Sequence, residues 1–396
     1  MKFEELTLNK KLVERTHKQG FTNMTSIQQK CIPEILQGRD VVGQAETGSG
    51  KTLAFCLPML DKITPGQGLQ ALILTPTREL CVQITTVFKN FGTALGLQTT
   101  SVYGGVGIQP QIKKLRTSEI VVGTPGRILD HLGRKTIDFS QILILVLDET
   151  DKMFEMGFID DVEDIIRQVP RRRQTLMFSA TISGTMQELM EKHLTHPCII
   201  KTQSYVDHSK LYQVYYDIHH RNNKFSLLVH LLKNHTSGLA IVFCATRRES
   251  DAVAKNLLHQ GIEATAIHGG MSQQQRLQSL ESIRKQRTQV LVATDVAARG
   301  LDIKNVTHIY NYDVPKTPKE YIHRIGRTAR AGSKGAAITL LTEPDHENFR
   351  RVQSNEDLRI EKAYFPRFIK VPFLRTIKRR EKSFTGKHRH SHSYRP

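Results

Sequence analysis

Short runs rich in Val, Ile and Leu alternate with longer stretches of helical periodicity in the first half of the chain. The runs lie at 71–76, 119–125, 142–149 and 175–181. Because they are apolar along most of their length rather than at every second position, they predict strands buried on both faces, as in a parallel sheet covered by helices. Such a sheet binds ligands beyond the carboxyl ends of its strands, and polar residues follow the runs at those ends.

The same pattern begins again in the second half of the chain. Its strand-like runs lie at 238–244, 264–269, 289–295, 306–313 and 336–341. The segment 204–210 between the two series is polar and aperiodic, which is typical of a linker. We therefore predict two α/β domains, 1–203 and 211–362, a division that a length of 396 residues also favours. Residues 363–396 have no sustained period and are expected to form a flexible, basic tail.

The charge of the chain points to an anionic partner. There are 57 Lys and Arg against 38 Asp and Glu, a net charge of +19, and residues 366–396 carry +9 of it. Nucleic acid is the main candidate for the partner. The five cysteines form no CxxC pair, which favours a reducing compartment and no structural zinc. No apolar run approaches the roughly 18 residues of a membrane span, and the first residues lack a secretory signal, so we expect a cytoplasmic protein, or a nuclear one in a eukaryote.

A phosphate-binding sequence follows the apolar pair at 41–42. It consists of Ala45, Glu46, Thr47, Gly48, Ser49, Gly50, Lys51 and Thr52. The glycines allow consecutive backbone amides to point at one anion, Lys51 can reach the β and γ phosphates, and the Thr52 hydroxyl is a ligand for Mg²⁺. Ala45 stands where the generic pattern has Gly. The order of strand, glycines, Lys and Thr favours a nucleoside triphosphate site over a Gly-Ser turn that only caps a helix.

Two acids end the most apolar strand-like run. Asp148 and Glu149 are adjacent, so their side chains diverge at the end of the strand. One carboxylate can then hold a metal while the other orients an attacking water, as a hydrolysing phosphate site requires. An Asp-Glu pair in this position is otherwise a common helix cap, and the phosphate-binding sequence upstream makes the catalytic interpretation the better one.

A series of motifs in one order resembles the DEAD-box RNA helicases over most of the chain. The series comprises Phe3 with Gly20-Phe21 and Thr25–Gln28, AETGSGKT at 45–52, PTREL at 76–80, Gly104-Gly105, TPGR at 124–127, DETD at 148–151, SAT at 179–181, IVFC at 241–244, Gln273-x-x-Arg276, TDVAARGLD at 294–302 and HRIGRTAR at 323–330. The resemblance implies two tandem RecA-like domains. It also implies that residues 1–29 form an adenine-reading Q motif.

The resemblance implies roles for the residues of the ATP site. Gln28 would hydrogen-bond the adenine edge and Phe21 would stack on the ring, although Met24 and Ser26 stand where the family usually has Pro. Arg327 and Arg330 match the arginine fingers, and Asp302 matches a ribose or linker contact. The residues that would couple the ATP and RNA sites are Asp151, Ser179, Thr181 and His323.

The resemblance also implies an RNA-binding set on both domains. In the first domain it consists of Arg78, Gly104, Gly105, Thr124, Pro125, Gly126 and Arg127, and in the second of Gln273, Arg276 and Thr294. These residues offer amides, hydroxyls and guanidinium groups, which favour contacts to phosphate and sugar over reading of bases. The run Arg171–Arg173 has no counterpart in the motif series, and we interpret it as a solvated loop.

Two positions depart from the family pattern. Thr150 replaces the usual Ala of the DEAD motif, and its hydroxyl is a candidate for an extra contact between DETD and SAT. Ala329 replaces a usual Gly, a change that matters only if φ is positive at that position.

The leading functional hypothesis is an RNA-dependent ATPase that uses ATP and Mg²⁺ to unwind or remodel RNA duplexes and RNA–protein complexes locally. The alternatives are an ATP-gated RNA clamp and a DNA helicase. Glu149, Arg327 and Arg330 argue against a pure clamp, and Gln28 with TPGR argues against DNA. We expect a monomer that binds RNA without sequence preference, with a tail able to contact a ribonucleoprotein or a protein.

Overall fold

The computed structural model describes residues 1–46, 48–202, 211–298, 301, 303, 305–329, 334–356 and 358–374. The predicted linker at 204–210 and the predicted site residues Thr47, Asp302 and Arg330 lie outside these residues. Within them, the chain forms two units, each built on a seven-stranded sheet whose strand pairs are all parallel.

The first sheet has the strand order β3-β4-β2-β5-β6-β1-β7. Its strands are β1 (Val41–Gln44), β2 (Ala71–Leu74), β3 (Thr99–Val102), β4 (Ile120–Gly123), β5 (Ile144–Asp148), β6 (Gln174–Ser179) and β7 (Cys198–Lys201). The four runs predicted in this half correspond to β2, β4, β5 and β6. The hydrophobic pattern did not predict β3, which contains Thr and Ser, or the edge strand β7, which has only three apolar residues in a row.

The second sheet has the order β10-β11-β9-β12-β13-β8-β14. Its strands are β8 (Leu211–Asp217), β9 (Leu239–Phe243), β10 (Ala264–Ile267), β11 (Val290–Ala293), β12 (Val306–Asn311), β13 (Gly335–Leu341) and β14 (Glu361–Lys362). The five predicted runs are β9 to β13. In sheet order, β10, β11, β9, β12, β13 and β8 occupy the places that β3, β4, β2, β5, β6 and β1 occupy in the first sheet, so the second unit repeats the topology of the first.

Helices cover both sheets. They are α1 (Lys10–Lys18), α2 (Ser26–Leu36), α3 (Lys51–Lys62), α4 (Arg78–Gly92), α5 (Gln109–Leu115), α6 (Pro125–Gly133), α7 (Thr150–Glu155), α8 (Ile159–Gln168), α9 (Gly184–His193), α10 (Asn223–Asn234), α11 (Arg247–His259), α12 (Gln273–Arg284), α13 (Asp295–Ala298), α14 (Pro318–Ile325) and α15 (His346–Gln353). Side chains of Thr77, Thr246, Ser272 and Thr317 cap the helices that follow them. In the described part of the chain, every helix is too short or too polar to cross a membrane.

Each strand in the middle of a sheet contributes to two apolar cores. On β5, Ile144 and Val146 pack in one core while Leu145 and Leu147 pack in the other. All four are at most 2% exposed. This two-sided burial is why the run lacks alternation, as the sequence predicts.

The second domain extends beyond the predicted boundary at 362. Ala363, Phe368, Val371 and Phe373 pack against the core formed by α10, α11 and the sheet. Two backbone ties secure this segment: the Val371 amide donates to Ser226 Oγ at 3.0 Å, and the Leu374 amide donates to Asn256 Oδ1 at 2.8 Å. Residues 363–374, which we call the C-terminal strap, therefore belong to the second domain. The prediction of a tail from 363 was wrong for these residues, because the strap is anchored by a few spaced aromatic contacts that show no regular period.

We expect Phe373→Ala to destabilise the second domain, because the ring packs on Phe225 with 5.0 Å between ring centroids. The cost should be about 1–2 kcal/mol, less than for a fully buried Phe. Chemical denaturation of the purified protein measures it. Ile369→Ala is the matched control in the same strap, since Ile369 is 85% exposed. Equal stability of the two variants would contradict the docking of the strap.

Candidate active site at the domain interface

The phosphate-binding sequence forms a tight loop between β1 and α3. Gly48 and Gly50 have φ values of +89° and +95°, which glycine adopts without strain. Lys51 is buried and its Nζ donates to the Ala45 carbonyl at 2.7 Å. The Ser49 hydroxyl donates to the Glu46 carbonyl at 2.8 Å. The loop thus places Lys51 and Thr52 at the start of α3, at the carboxyl edge of the sheet.

The Q motif lies directly against this loop. Gln28 Nε2 donates to the Gly50 carbonyl at 3.0 Å, and its Oε1 accepts from the Thr25 amide at 2.9 Å. Phe21 is 36% exposed and lines the same cleft as Gln28. The structure therefore brings together the two predicted adenine contacts and the phosphate loop.

Asp148 and Glu149 lie at the end of β5, beside Lys51. Burial raises the pKa of Asp148 to about 6, although Lys51 opposes the shift. Burial would also raise the pKa of Glu149, but the charges of Lys152 and Lys51 outweigh it and hold that pKa below its usual value. Lys152 Nζ lies 2.8 Å from Glu149 Oε1, and both side chains are 4% exposed. Glu149 is thus an ionised carboxylate held by cations.

The residues present fit a nucleotide with a hard cation. Phe21, Gln28, Lys51, Thr52, Asp148 and Glu149 all line one cleft of about 920 Å³ between the domains. A hydroxyl and a carboxylate are oxygen donors of the kind that Mg²⁺ prefers. Within this cleft, Thr52 and Asp148 supply them.

The DETD and SAT segments are joined by hydrogen bonds. Asp151 Oδ2 accepts from both the amide and the hydroxyl of Thr181 at 3.2 Å. The Ser179 hydroxyl donates to the Thr181 carbonyl at 2.7 Å and accepts from the Asp151 amide at 3.3 Å. Thr150 is fully buried, and its hydroxyl contacts the carbonyls of Leu147 and Phe178 at 3.1 and 3.3 Å. Thr150 thus bridges the two strands that carry these segments, through Phe178, the residue before the SAT segment.

The second domain presents Arg327 and His323 to this site. Arg327 is 6% exposed, and its Nη1 donates to the Leu301 carbonyl at 2.9 Å. Its positive charge is among those that lower the pKa of Glu149, so it lies near the carboxylate across the interface. Burial, with a contribution from Lys152, lowers the pKa of His323. His323 therefore faces α7 of the first domain as a mainly neutral imidazole at pH 7.

The predicted RNA residues of the first domain cluster around the ends of β2, β3 and β4. The Arg78 guanidinium lies against Gly104 and Gly105. Gly105 has a φ of +79°, which favours glycine, and a Cβ there would lie 2.1 Å from Arg78 Nη1, so the guanidinium would also have to shift. Arg127 donates to the Val106 carbonyl at 3.2 Å, which ties α6 to the glycine loop. Thr124, Pro125 and Gly126 form the start of α6 beside this loop.

The predicted RNA residues of the second domain contact the first domain through Glu79. Gln273 Nε2 donates to Glu79 Oε1 at 3.0 Å, and Arg276 Nε lies 2.9 Å from the same oxygen. Glu79 is 3% exposed. Thr294 lies at the end of β11, the same edge of the second sheet. Glu79 was absent from the predicted set, although it lies in the PTREL segment beside Arg78.

Comparisons with known proteins agree with this arrangement. The DEAD/DEAH box helicase family model matches residues 25–189, and the helicase conserved C-terminal domain model matches residues 223–332. The ATP-dependent RNA helicase CshA of Listeria monocytogenes is 43% identical over 367 residues, which are 92% of this chain and 71% of that protein. The chain belongs to the DEAD-box RNA helicase family.

Solved structures of this family confirm the fold as two tandem RecA-like domains. S. cerevisiae Dbp5 bound to RNA and ADP BeF3 has a TM-score of 0.82 at 31% identity, over 91% of this chain and 95% of that one. A DEAD box protein from Methanococcus jannaschii has a TM-score of 0.56 at 38% identity, over 92% of this chain and 99% of that one. The overall similarity in structure is therefore higher for the Dbp5 complex, although the sequence identity is lower.

Arg324 is a site residue that the sequence prediction missed. Its Nε and Nη2 donate to Asp295 at 2.6 and 2.7 Å, and its Nη1 donates to Asn311 Oδ1 at 3.1 Å and to the Asp313 carbonyl at 2.6 Å. A buried arginine with this many partners fixes the segment that carries Arg327. The HRIGR sequence contains Arg324, but the resemblance to the family motif alone points to the later Arg327 and Arg330.

Arg247 is a second missed residue, and the repeated topology would have found it. In each domain a strand is followed by a capping Thr and then by Arg: Thr77-Arg78 after β2, and Thr246-Arg247 after β9. As Arg78 lies against a glycine pair, so does Arg247, with its Nη2 3.3 Å from where a Cβ on Gly269 would lie. The second domain thus carries a matching Arg–Gly surface.

The Ala329 departure does fall at a positive φ. Its φ is +53°, and its side chain is fully buried. A non-glycine residue in the left-handed region costs about 1 kcal/mol. This DEAD-box protein therefore holds local strain two residues from Arg327.

We expect Gly50→Ala to weaken nucleotide binding. An added Cβ would lie 2.5 Å from Gln28 Nε2 and 2.9 Å from Thr25 Oγ1, at a φ of +95°. Both the loop and the Q motif must then shift, so the affinity should fall at least about tenfold, or 1.4 kcal/mol. Titration with a fluorescent ATP analogue measures it. Gly133→Ala, where a Cβ meets no atom within 4 Å, is the control. Unchanged affinity of the Gly50 variant would refute the proposed contact between loop and Q motif.

Proposed function

We propose that this DEAD-box protein is an RNA-dependent ATPase that locally unwinds or remodels RNA duplexes and RNA–protein complexes by closing its two domains. The observation that carries the proposal is that Lys51, Asp148 and Glu149 of the first domain line one cleft and that the charge of Arg327, from the second domain, acts on Glu149. CshA is an ATP-dependent RNA helicase by name, and Dbp5 is seen with RNA and ADP BeF3. Both support the assignment.

Separate groups of residues in the ATP site bind the base and the phosphates. Gln28 and Phe21 read and stack the adenine, and the amides of the loop from Ala45 to Thr52, with Lys51, hold the phosphates. Thr52 and Asp148 would hold Mg²⁺, which supplies neutralising charge to phosphate oxygens when bound. Asp302, outside the described residues, is proposed to contact the ribose or linker.

Hydrolysis requires groups from both domains. Glu149 orients the attacking water, and its lowered pKa keeps it ionised for that role. Arg327, with Arg330 outside the described residues, places positive charge beside the transferred phosphoryl group, which is worth about 10³–10⁵ in rate for arginine fingers. The Asp151–Thr181 and Ser179 contacts and His323 transmit the state of this site to the RNA face.

RNA lies across both domains on sugar and phosphate contacts. Arg78, Gly104, Gly105 and the TPGR segment form the first half of this surface, and Gln273, Arg276, Thr294 and Arg247 form the second. Because the two halves approach only when the domains close, RNA and ATP binding favour the same closed state. Sequence-independent binding follows from contacts of this kind.

An ATP-gated clamp and a DNA helicase remain the alternatives to test. ATP turnover measured without nucleic acid, with single-stranded RNA and with DNA separates the three. The proposed function predicts stimulation by RNA above that by DNA. Lack of RNA stimulation would overturn it.

We further propose a monomer located in the cytoplasm, or in the nucleus of a eukaryote, on the basis of its charge and reduced cysteines.

Glu149→Gln should keep ATP and RNA binding but lower turnover at least about 100-fold, because the amide cannot accept a proton from the attacking water. A steady-state phosphate-release assay with saturating RNA measures it. Glu163→Gln, an acid on the outer face of the same domain, should behave as wild type. Normal turnover in the Glu149 variant would remove this residue from catalysis.

Truncation after Leu374 should weaken RNA binding without changing turnover at saturating RNA. It removes residues 375–396, which carry eight Lys or Arg and one Glu, a net charge of +7. Each lost phosphate contact should flatten the slope of log affinity against log salt by about 0.7 for single-stranded RNA. A shuffled tail of the same composition is the control and should restore both values. If the slope does not change, the tail contacts a protein or particle instead of RNA.

A further inference from the structure

Helices α7 and α14 meet across the domain interface in a regular order of charged residues. On the α7 side the residues are Glu149, Lys152 and Glu155, each three positions apart. On the α14 side they are Arg327, His323 and Lys319, each four positions apart in the opposite direction along the chain. Lys152 and Glu155 lie on α7, and His323 and Lys319 lie on α14, at spacings that keep side chains on one face of a helix. Glu149 is the residue before α7, and Arg327 lies two residues beyond the end of α14. The two segments therefore run in opposite directions and form three rungs.

Each rung pairs groups from the two domains. At the inner rung, the positive charge of Arg327 helps to lower the pKa of Glu149. At the middle rung, His323 lies within electrostatic reach of Lys152, Asp151 and Glu155. At the outer rung, Lys319 Nζ contacts Glu155 Oε1 at 2.5 Å.

The outer rung lies away from the reacting groups and is partly exposed. The side chains of Lys319 and Glu155 are 53% and 24% exposed. Such a pair adds little to the stability of a single folded unit. Here, however, the partners belong to different domains, so the contact exists only while the domains are together. Its interaction energy then shifts the balance between separated and closed arrangements.

We propose that Lys319 and Glu155 are positioning residues that set the register of α14 on α7 and so place Arg327 against Glu149. The inference rests on the proposed RNA-dependent ATPase function and adds a pair that no motif contains. One rung alone would allow the helices to slide or tilt. Two rungs, eight residues apart on the α14 side and six residues apart on the α7 side, fix both the register and the angle.

The test is a charge exchange with a matched control. Glu155→Lys, Lys319→Glu and the double exchange are compared with Glu163→Lys, Lys192→Glu and their double exchange. Lys192 and Glu163 form a pair 2.7 Å apart with side-chain exposures of 56% and 23%, but both partners lie in the first domain. The two pairs thus match in charge and exposure and differ in whether they span the interface.

We expect each single reversal at 155 or 319 to lower RNA-stimulated kcat/KM for ATP about three- to tenfold, since repulsion replaces the lost attraction. The double exchange should recover most of the loss. Nucleotide affinity without RNA should stay near wild type, because closure needs RNA as well as ATP. The thermal unfolding midpoint should also stay near wild type, because a partly exposed ion pair adds little to stability. The control pair should leave turnover unchanged in all three variants.

Two results would overturn the inference: wild-type turnover in both single variants, or a double exchange that is no better than the singles. These results differ from failure of the proposed function, in which the wild-type protein itself shows no stimulation by RNA. Loss of turnover in the control variants as well would also count against a role specific to the interface.

Discussion

Glu149 lies among cations from both domains, and the active site depends on this electrostatic arrangement. Lys152 and Lys51 belong to its own domain, while Arg327 comes from the other. Buried charges are tolerated only when they are paired. The neighbouring Asp148, whose pKa burial raises to about 6, shows how strongly this region is removed from water. Opposite charges on the two domains thus make the interface complementary at the place where chemistry requires both.

Glu79, a second buried acid, links the RNA-binding residues to the closure of the two domains. Glu79 follows Arg78 at the start of α4, and it receives Gln273 and Arg276 from the second domain. Arg276 therefore contacts the acid that directly follows Arg78 in the chain. Whatever brings the domains together at the ATP site also aligns the two halves of the RNA surface. Because binding energies are reciprocal, RNA that prefers the aligned surface must also favour the closed ATP site.

The pattern of neighbouring residues along the chain was enough to predict the central strands and the phosphate loop. The run at 142–149 is buried on both faces, and the loop from Ala45 to Thr52 acts through neighbours in sequence. Other features depend on distant contacts. Glu79 and Gln273 meet across 194 residues, and no local pattern indicates which acid will face which helix. Strand β3 was missed because its Thr and Ser residues gain their burial only from the helices packed over them. The C-terminal strap was missed because its few spaced aromatic contacts show no regular period.

The repeated topology also explains why two domains share one ATP site. Strand β8 and helix α10 occupy in the second sheet the place that β1 and α3 occupy in the first, and each helix has a buried lysine in its first turn. Lys51 lines the cleft between the domains. Its counterpart Lys224 lies 3.4 Å from Asp313 and 3.2 Å from Asp345, and over the ring of Tyr312. Two carboxylates therefore neutralise the charge that a phosphate would otherwise meet. The second domain keeps the scaffold of a nucleotide site but uses its lysine for packing, which leaves Arg327 as its contribution to the site of the first.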